Sequence, residues 1–425
     1  MKNLIYDIHD TPYTIHEWLL YAIQQVCAVF VATVLIANIC GTPISSCLVG
    51  AGVGTIVYQL VTGFNSPMFI SSCGATCSAV IGALAIGQGG NYSAVVIGGV
   101  VIFLVYAIFA AIIKVRGIAV INRIFPPIII GPVTMVIGMN LATFIPTYVQ
   151  VNGEYNVWGI LIAIVTMLII ALVSHYAKGM GKTIPFLAGL VCGYAIAAIL
   201  TVLKVAPLID FSIFKDVVPF KLPDFAFMHI QNPLTWAQVG RVVLLFVPVS
   251  ICSLLEHYSD HKVLSNIIGT NLTETPGLHR TLLGDGLASL FGTLICGLPN
   301  TSYGESIATT GFSRVASTKV ISLAAIIIGV MGFIYPIQLV ILSIPSSVFG
   351  GCAMILYGYI AASGLKTLLN AKPDLNDNKN LIVISVILTV GVSGIFLLSE
   401  SFAGVSLAMV LGVILNLILV RKKKC

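Results

Sequence analysis

The sequence predicts an all-α membrane protein of 14 transmembrane segments in a 7+7 inverted repeat, with two short antiparallel strands in the broken third and tenth segments. Three observations lead there. First, 58% of the 425 residues are hydrophobic and only 8% are Asp, Glu, Lys or Arg, against roughly 25% charged in an average soluble domain. That is too little charge to cover a surface facing water, so the bilayer is the solvent. Second, the chain divides into 14 apolar stretches separated by loop signals. Third, one long polar interruption, 204–235, stands between two sets of seven.

A helix needs about 20 apolar residues to cross about 30 Å of hydrocarbon. Segments of that order fall at 14–39, 44–62, 68–86, 93–115, 125–146, 155–177, 184–203, 236–259, 278–296, 299–313, 316–336, 338–361, 380–399 and 402–420. Forty glycines and 18 prolines fit this setting, since both are commoner in membrane helices than in soluble ones. The ten cysteines lie singly in apolar runs, without the spacing of a disulfide framework or metal site. Cys73 and Cys77 share a helix face and read as small core residues. The polar stretch 1–10 precedes a span too long for a signal core, so the N-terminus reads as retained. The net charge of +6 comes from scattered loops and a tail, not from a basic face suited to nucleic acid.

Basic residues orient the chain, because cytoplasmic loops are enriched in Lys and Arg. With both termini inside, the inner segments hold 17 of the 21: Lys2, then Lys114, Arg116 and Arg123, then Lys178 and Lys182, then Lys262 and Arg280, then Arg314 and Lys319, then Lys366, Lys372 and Lys379, and finally Arg421 to Lys424. The outer side keeps Lys204, Lys215 and Lys221, offset by Asp210, Asp216 and Asp224, with Arg241 near an outer helix end. The 204–235 connection thus separates a first half, 1–203, from a second, 236–425. Seven spans in each make the second half enter from the opposite face, the inverted-repeat arrangement of many secondary transporters.

Corresponding places in the halves are irregular. Pro67 leads Met68 to Thr76 in the third span, and Pro299 leads Asn300 to Ser306 in the tenth. The fifth and twelfth spans also match in style, with Pro126, Pro127, Gly131 and Gly138 in one and Pro345, Gly350 and Gly358 in the other. Paired interruptions point to a central binding site. Non-helical backbone at that depth must be satisfied by protein or ligand, so strands are expected around 67–72 and 299–303, paired with each other. Each leads into a half-helix whose N-terminal amides suit a carbonyl oxygen or an anion.

Of the 15 acids, four stand within spans or at their edges: Glu256, Asp260, Asp285 and Glu305. An ionisable group inside the membrane marks a pathway or site by default. Glu256 and Asp260 are four apart on one helix face, close enough for one of them to hold a proton. Asp260 reads equally as a member of that site or as the solvated cytoplasmic end of the eighth span, and His261 reads more as that solvated end. Glu305 begins a half-helix, where a carboxylate also suits the dipole, yet the hydrogen-bond-rich approach Asn300 to Gly304 exceeds what a helix start requires. Asp285, between Gly284 and Gly286, reads as a helix-packing or domain-contact residue, and His175 and His279 as solvated. Carboxyls facing free amides complement a flat ring that alternates N–H donors with C=O acceptors, as in a nucleobase. A membrane enzyme is disfavoured, since no nucleophile–base pair, metal cluster or phosphate-cradling loop is present.

The combination of Glu256-His257, Pro276-Gly277-Leu278-His279-Arg280, Pro299-Asn300-Thr301-Ser302-Tyr303-Gly304-Glu305, Leu356-Tyr357-Gly358 and Ala362-Ser363-Gly364 resembles the nucleobase–ascorbate transporter (nucleobase–cation symporter-2) family over nearly the whole chain. The likeness is greatest to bacterial members that carry uracil. It implies a core domain from spans 1–4 and 8–11, a gate domain from spans 5–7 and 12–14, usually a homodimer, and import of a nucleobase with a proton. It places the substrate-binding acids at Glu256 and Glu305, backbone contacts at Gly74 and Gly304, and van der Waals walls at Ala32, Tyr303 and Tyr357. Departures are Asp260 where uracil carriers can have histidine, with His261 next; Gly74 where an aromatic is common; Thr275 where an acid is common; and Ser306, Ala308, Ser313 and Arg314 in the signature after the second acid.

The resulting expectation is a proton-coupled uracil symporter in a bacterial-type plasma (inner) membrane, with both termini cytoplasmic. Proton coupling falls to Glu305, Glu256, Asp260 and His261. No cofactor is expected beyond the proton as coupling ion. A purine carrier for xanthine or urate on the same fold is the nearest alternative. An inorganic anion transporter is a further one, though it calls for a basic residue where the deep charges are acidic.

Overall fold

Apolar runs of this length form helices because hydrocarbon offers no partners to open backbone. In the computed structural model, which describes residues 4–87, 91–117, 125–151, 153–178, 184–215, 217–231, 233–393, 395 and 404–419, the first half contains α1 (Ile15–Cys40), α2 (Ile44–Thr62), strand β1 (Ile70–Ser72), a 3-10 turn (Gly74–Thr76), α3 (Cys77–Gly87), α4 (Ser93–Arg116), α5 (Pro127–Ala142), α6 (Ile145–Val149), a small hairpin β2 (Gln150–Val151) and β3 (Glu154–Tyr155), α7 (Val157–Tyr176) and α8 (Pro185–Val202). The second contains α9 (Trp236–Ile268), α10 (Leu278–Cys296), β4 (Asn300–Ser302), α11 (Gly304–Ser313), α12 (Thr318–Met331), α13 (Tyr335–Ser343), α14 (Ser346–Ala371), α15 (Asn378–Val392) and α16 (Val405–Ile418). Among the described residues, eight helices are long and apolar enough to cross a membrane, and four apolar stretches are shorter. Lys2, Arg123, Lys182, Asp216, Glu400 and Arg421 to Lys424 lie outside the described residues, as do parts of the thirteenth and fourteenth expected spans.

Two boundaries differ from expectation. The eighth span continues past 259, and α9 runs 33 residues to Ile268, where Gly269 caps it at φ 78°. The polar run from Glu256 to His261 does not end this helix, because His257, Asp260 and His261 find partners inside the protein and Glu256 and Ser259 face an internal cavity. His261 is fully buried, so its reading as a solvated helix end is overturned. The twelfth expected span divides into α13 and α14, with Pro345 at the N-cap of α14, a position suited to a residue with no N–H to give.

The helices sort into two packed groups. In one, α10 lies against α2 and α4, α12 against α2, and α1 and α9 border them; in the other, α14 lies against α5 and α7, with α15 and α16 alongside α5. Small residues let the second group close tightly. A Cβ on Gly138 of α5 would sit 2.6 Å from Ala361 N and 2.7 Å from Tyr357 O of α14. The N-terminal segment docks on the chain between α11 and α12: Ala316 N donates to Tyr6 O and Thr318 N to Ile8 O, each at 2.9 Å. Tyr6 and Ile8 are buried by this contact.

Candidate functional site

Strands β1 and β4 meet antiparallel, pairing Ile70 with Ser302, Ser71 with Thr301 and Ser72 with Asn300, and Cys73 N adds a bond to Pro299 O at 2.8 Å. All six paired residues are buried, so the surrounding helices must satisfy their polar atoms. Thr55 of α2 does so twice for Ile70, receiving from its N–H at 3.0 Å and donating to its carbonyl at 2.8 Å. Thr33 of α1 bonds Ser71 at 2.7 Å. Asn300 Nδ2 donates to Gly50 O at 2.7 Å, and Ser289 donates to the Asn300 carbonyl. Ser302 donates to Asp260 at 2.8 Å, and Thr301 to Asp285 at 3.1 Å.

Each strand runs into a helical start, at Gly74 and at Gly304, and neither is capped by a side chain. First-turn amides without an internal partner therefore stand at the inner end of both broken segments. A cavity of about 470 Å³ opens there, within the range of small-molecule sites. The first helix group supplies Ala32 and Ile36 from α1, Gly74 and Ala75, then Glu256, Ser259 and Asp260 from α9, and Thr301 to Glu305 with Ala308, Thr309 and Phe312. The second supplies Ile130, Thr134 and Ile137 from α5, Phe186 from α8, and Leu356, Tyr359 and Ile360 from α14. The cavity continues along α11 to Phe312 and along α14 to Thr367, in the direction of the ends bearing Arg314 and Lys372.

Of the residues singled out in the sequence, Ala32, Gly74, Glu256, Asp260, Tyr303, Gly304 and Glu305 all border this cavity. Tyr357 does not: it is buried in helix packing at 1% exposure, while its neighbours Leu356, Tyr359 and Ile360 face the space. His261 also lies away from it, with Nδ1 donating to His257 O at 2.8 Å and Nε2 2.7 Å from the Tyr58 hydroxyl. Asp285 is fully buried beside β4 and joins α10 to α9 and to that strand. Sequence reasoning missed the opposite wall. Ile130, Thr134 and Ile137 recur at the spacing of one helix face, but within an apolar span that spacing looks the same whether a residue meets lipid or a cavity.

A bundle of apolar helices around a cavity at two broken segments defines a multi-pass membrane protein with a transporter's architecture. Solved structures share the fold: SLC26A9 matches with a TM-score of 0.68 at 12% identity over 96% of this chain and 66% of that one. The transmembrane domain of the cyanobacterial bicarbonate transporter BicA matches with a TM-score of 0.59 at 15% identity over 96% and 98%. The permease family model Xan_ur_permease matches residues 16–400, and the chain belongs to that family, the nucleobase–ascorbate transporters. Among relatives, the uracil permease of Bacillus caldolyticus is 37% identical over 99% of this chain and 95% of its own. Those of Bacillus subtilis and Escherichia coli K12 are 34% and 30% identical, over 100% and 93% of this chain and 97% and 90% of their own. These relatives are permeases, not enzymes.

Proposed function

We propose that the protein imports uracil together with a proton across the plasma membrane. The observation that carries this reading is the convergence of Glu256, Asp260 and Glu305 with the uncapped starts at Gly74 and Gly304 on one cavity. Glu256 accepts ring N–H groups, the amides at Gly74 and Gly304 meet the ring carbonyls, and Glu305 completes the edge. Ala32, Ile36 and Ile137 offer apolar surface to the ring faces. The names of the relatives support uracil over a purine, and three acids with no basic residue among the described residues of the cavity wall suit an inorganic anion poorly.

In this reading the two halves are inverted repeats of seven spans, both termini are cytoplasmic, and the protein forms a homodimer. The group containing α10 is the core and that containing α14 the gate, with the cavity between them. A proton taken up by Glu305 or the Glu256/Asp260 pair, with His261 assisting, neutralises the core and permits it to move while loaded. Proton and base must therefore favour the same state. Uptake of labelled uracil by cells expressing Glu256→Ala or Glu305→Ala tests the assignment: it is expected to vanish, and undiminished uptake refutes it. Competition by unlabelled xanthine and urate separates the purine alternative.

A further inference from the structure

Asp285 is fully buried and lies outside the cavity wall. Its Oδ2 receives the Thr301 hydroxyl at 3.1 Å and stands 2.7 Å from Nδ1 of His257, which is also fully buried. The other side of that imidazole fixes its tautomer. Nε2 lies 3.1 Å from Thr281 Oγ1, and that hydroxyl donates its hydrogen to the Leu278 carbonyl at 3.1 Å. With that hydrogen on Leu278, Thr281 accepts from His257 Nε2, and the lack of an aligned bond at Nδ1 agrees with the hydrogen residing on Nε2. In a neutral ring Nδ1 would present a bare lone pair to a carboxylate oxygen 2.7 Å away, and two acceptors at that separation repel. Nδ1 makes no aligned hydrogen bond, and the far oxygen, Oδ1, has no partner among the described residues. An unneutralised carboxylate so placed is strongly disfavoured. The geometry calls for one proton on the pair, on either partner, leaving it neutral overall.

The pair is also wired to the cavity. Thr301 and Ser302 are neighbours on β4, and consecutive strand side chains point to opposite faces. Thr301 bonds Asp285, and Ser302 bonds Asp260 on the cavity wall at 2.8 Å. Thr301 itself borders the cavity, and its hydroxyl, on the other face of the strand, receives that of Ser253 at 3.3 Å and donates to the carboxyl. The other titratable groups facing the pair are Tyr58 of α2, Tyr106 of α4, and Glu256, Asp260 and His261 of α9. The His261 ring lies against that of His257, with centroids 4.1 Å apart and planes tilted by 33°, and the Tyr58 hydroxyl beside it reaches Ser66 at 2.8 Å.

We propose that the Asp285–His257 pair is a second proton-holding site, outside the substrate cavity, which takes up and releases a coupled proton through Thr301 and reports its charge to the cavity through the adjoining Ser302–Asp260 bond. Loading forms one bond to hydrogen, O–H on Asp285 or N–H on His257, with a proton from cavity water. Unloading breaks that bond and returns the proton to water on the other side.

The proposal rests on the proton-coupled reading above, and full-length protein in liposomes separates the two. If the wild type does not accumulate uracil when the outside is made acid, proton coupling itself fails. If it does, Asp285→Asn, which presents a permanently neutral group of the same shape, decides the inference. It should bind uracil and exchange labelled for unlabelled uracil across the membrane, yet lose accumulation driven by the proton gradient. His257→Gln should show the same split, and it decides the matter if the Asn variant does not fold. Gradient-driven accumulation as in the wild type overturns the proposal. Loss of binding and exchange in a variant that remains folded overturns it as well, since a structural role alone would then account for the pair.

Discussion

Ser302 donates to Asp260 Oδ2 across 2.8 Å, so the strand that leads into Gly304 and Glu305 is tied to the helix that carries Glu256. Two parts of the cavity wall that are distant in sequence hold one another in place through this bond. Ser302→Ala should lower the stability of the purified protein by about 1 kcal/mol, the scale of one hydrogen bond between membrane segments. Thermal unfolding in detergent measures it. Unchanged unfolding would mean that the neighbouring strand bonds alone hold β4.

Replacing a carboxylate that accepts ligand N–H groups removes hydrogen bonds to a charged group, about 1.5–3 kcal/mol, or roughly 10- to 150-fold in affinity. Glu256→Ala and Glu305→Ala should each weaken uracil binding by that order in an equilibrium assay on purified protein. A loss of less than twofold in either would remove that residue from the binding set.

Gly74 tests the size of the site. A Cβ there meets only Ile36 Cδ1, at 3.7 Å, so the first atom of a side chain is accommodated at the cavity wall without a clash. Gly74→Phe should fold as the wild type does and narrow the range of competitors, with bulkier bases losing more affinity than uracil. Equal losses for all bases would show that this position does not face the ligand.

Gly138 should behave in the opposite way. Its missing Cβ leaves room for the backbone of α14 at Ala361 and Tyr357, and a larger residue must push the two helices apart. Gly138→Leu is expected to cut the yield of folded protein in size-exclusion chromatography, because overpacking typically costs about 1–3 kcal/mol or more. A normal yield would mean that α5 and α14 can separate freely.

The proposed import with a proton also sets a direction for pH. Initial uptake by intact cells should rise as the outer solution is made more acidic at constant uracil, because coupled proton entry then runs downhill. A flat profile across that range, with binding intact, would point to uncoupled transport.

Much of this was legible in the chain. Long apolar runs leave few options other than helices in a membrane, and the prolines at 67 and 299, each followed by hydroxyl-bearing residues, marked the two places where helix gives way to strand. Glu256 and Glu305 stood out because charge in such a background needs a reason. Polar content misled at the end of α9, where His261 read as near water but is sheltered by Tyr58 and the His257 backbone. The opposite wall of the cavity left no trace, since Ile130, Ile137, Leu356 and Ile360 have the same chemistry as residues touching lipid. Tyr357 shows the same limit from the other side: its place on α14 follows from the rotation of that helix against α5, which depends on contacts between distant segments.

The pairing of Ile70 with Ser302 also bears on how the protein is made. A ribosome adding about 5–20 residues per second needs on the order of ten to fifty seconds to travel from one partner to the other. Throughout that interval the earlier strand has been synthesised and its mate has not. The insertion machinery, lipid headgroups or a provisional neighbour must shelter those open amides meanwhile, so the centre of this molecule is assembled late, although half of it emerges early.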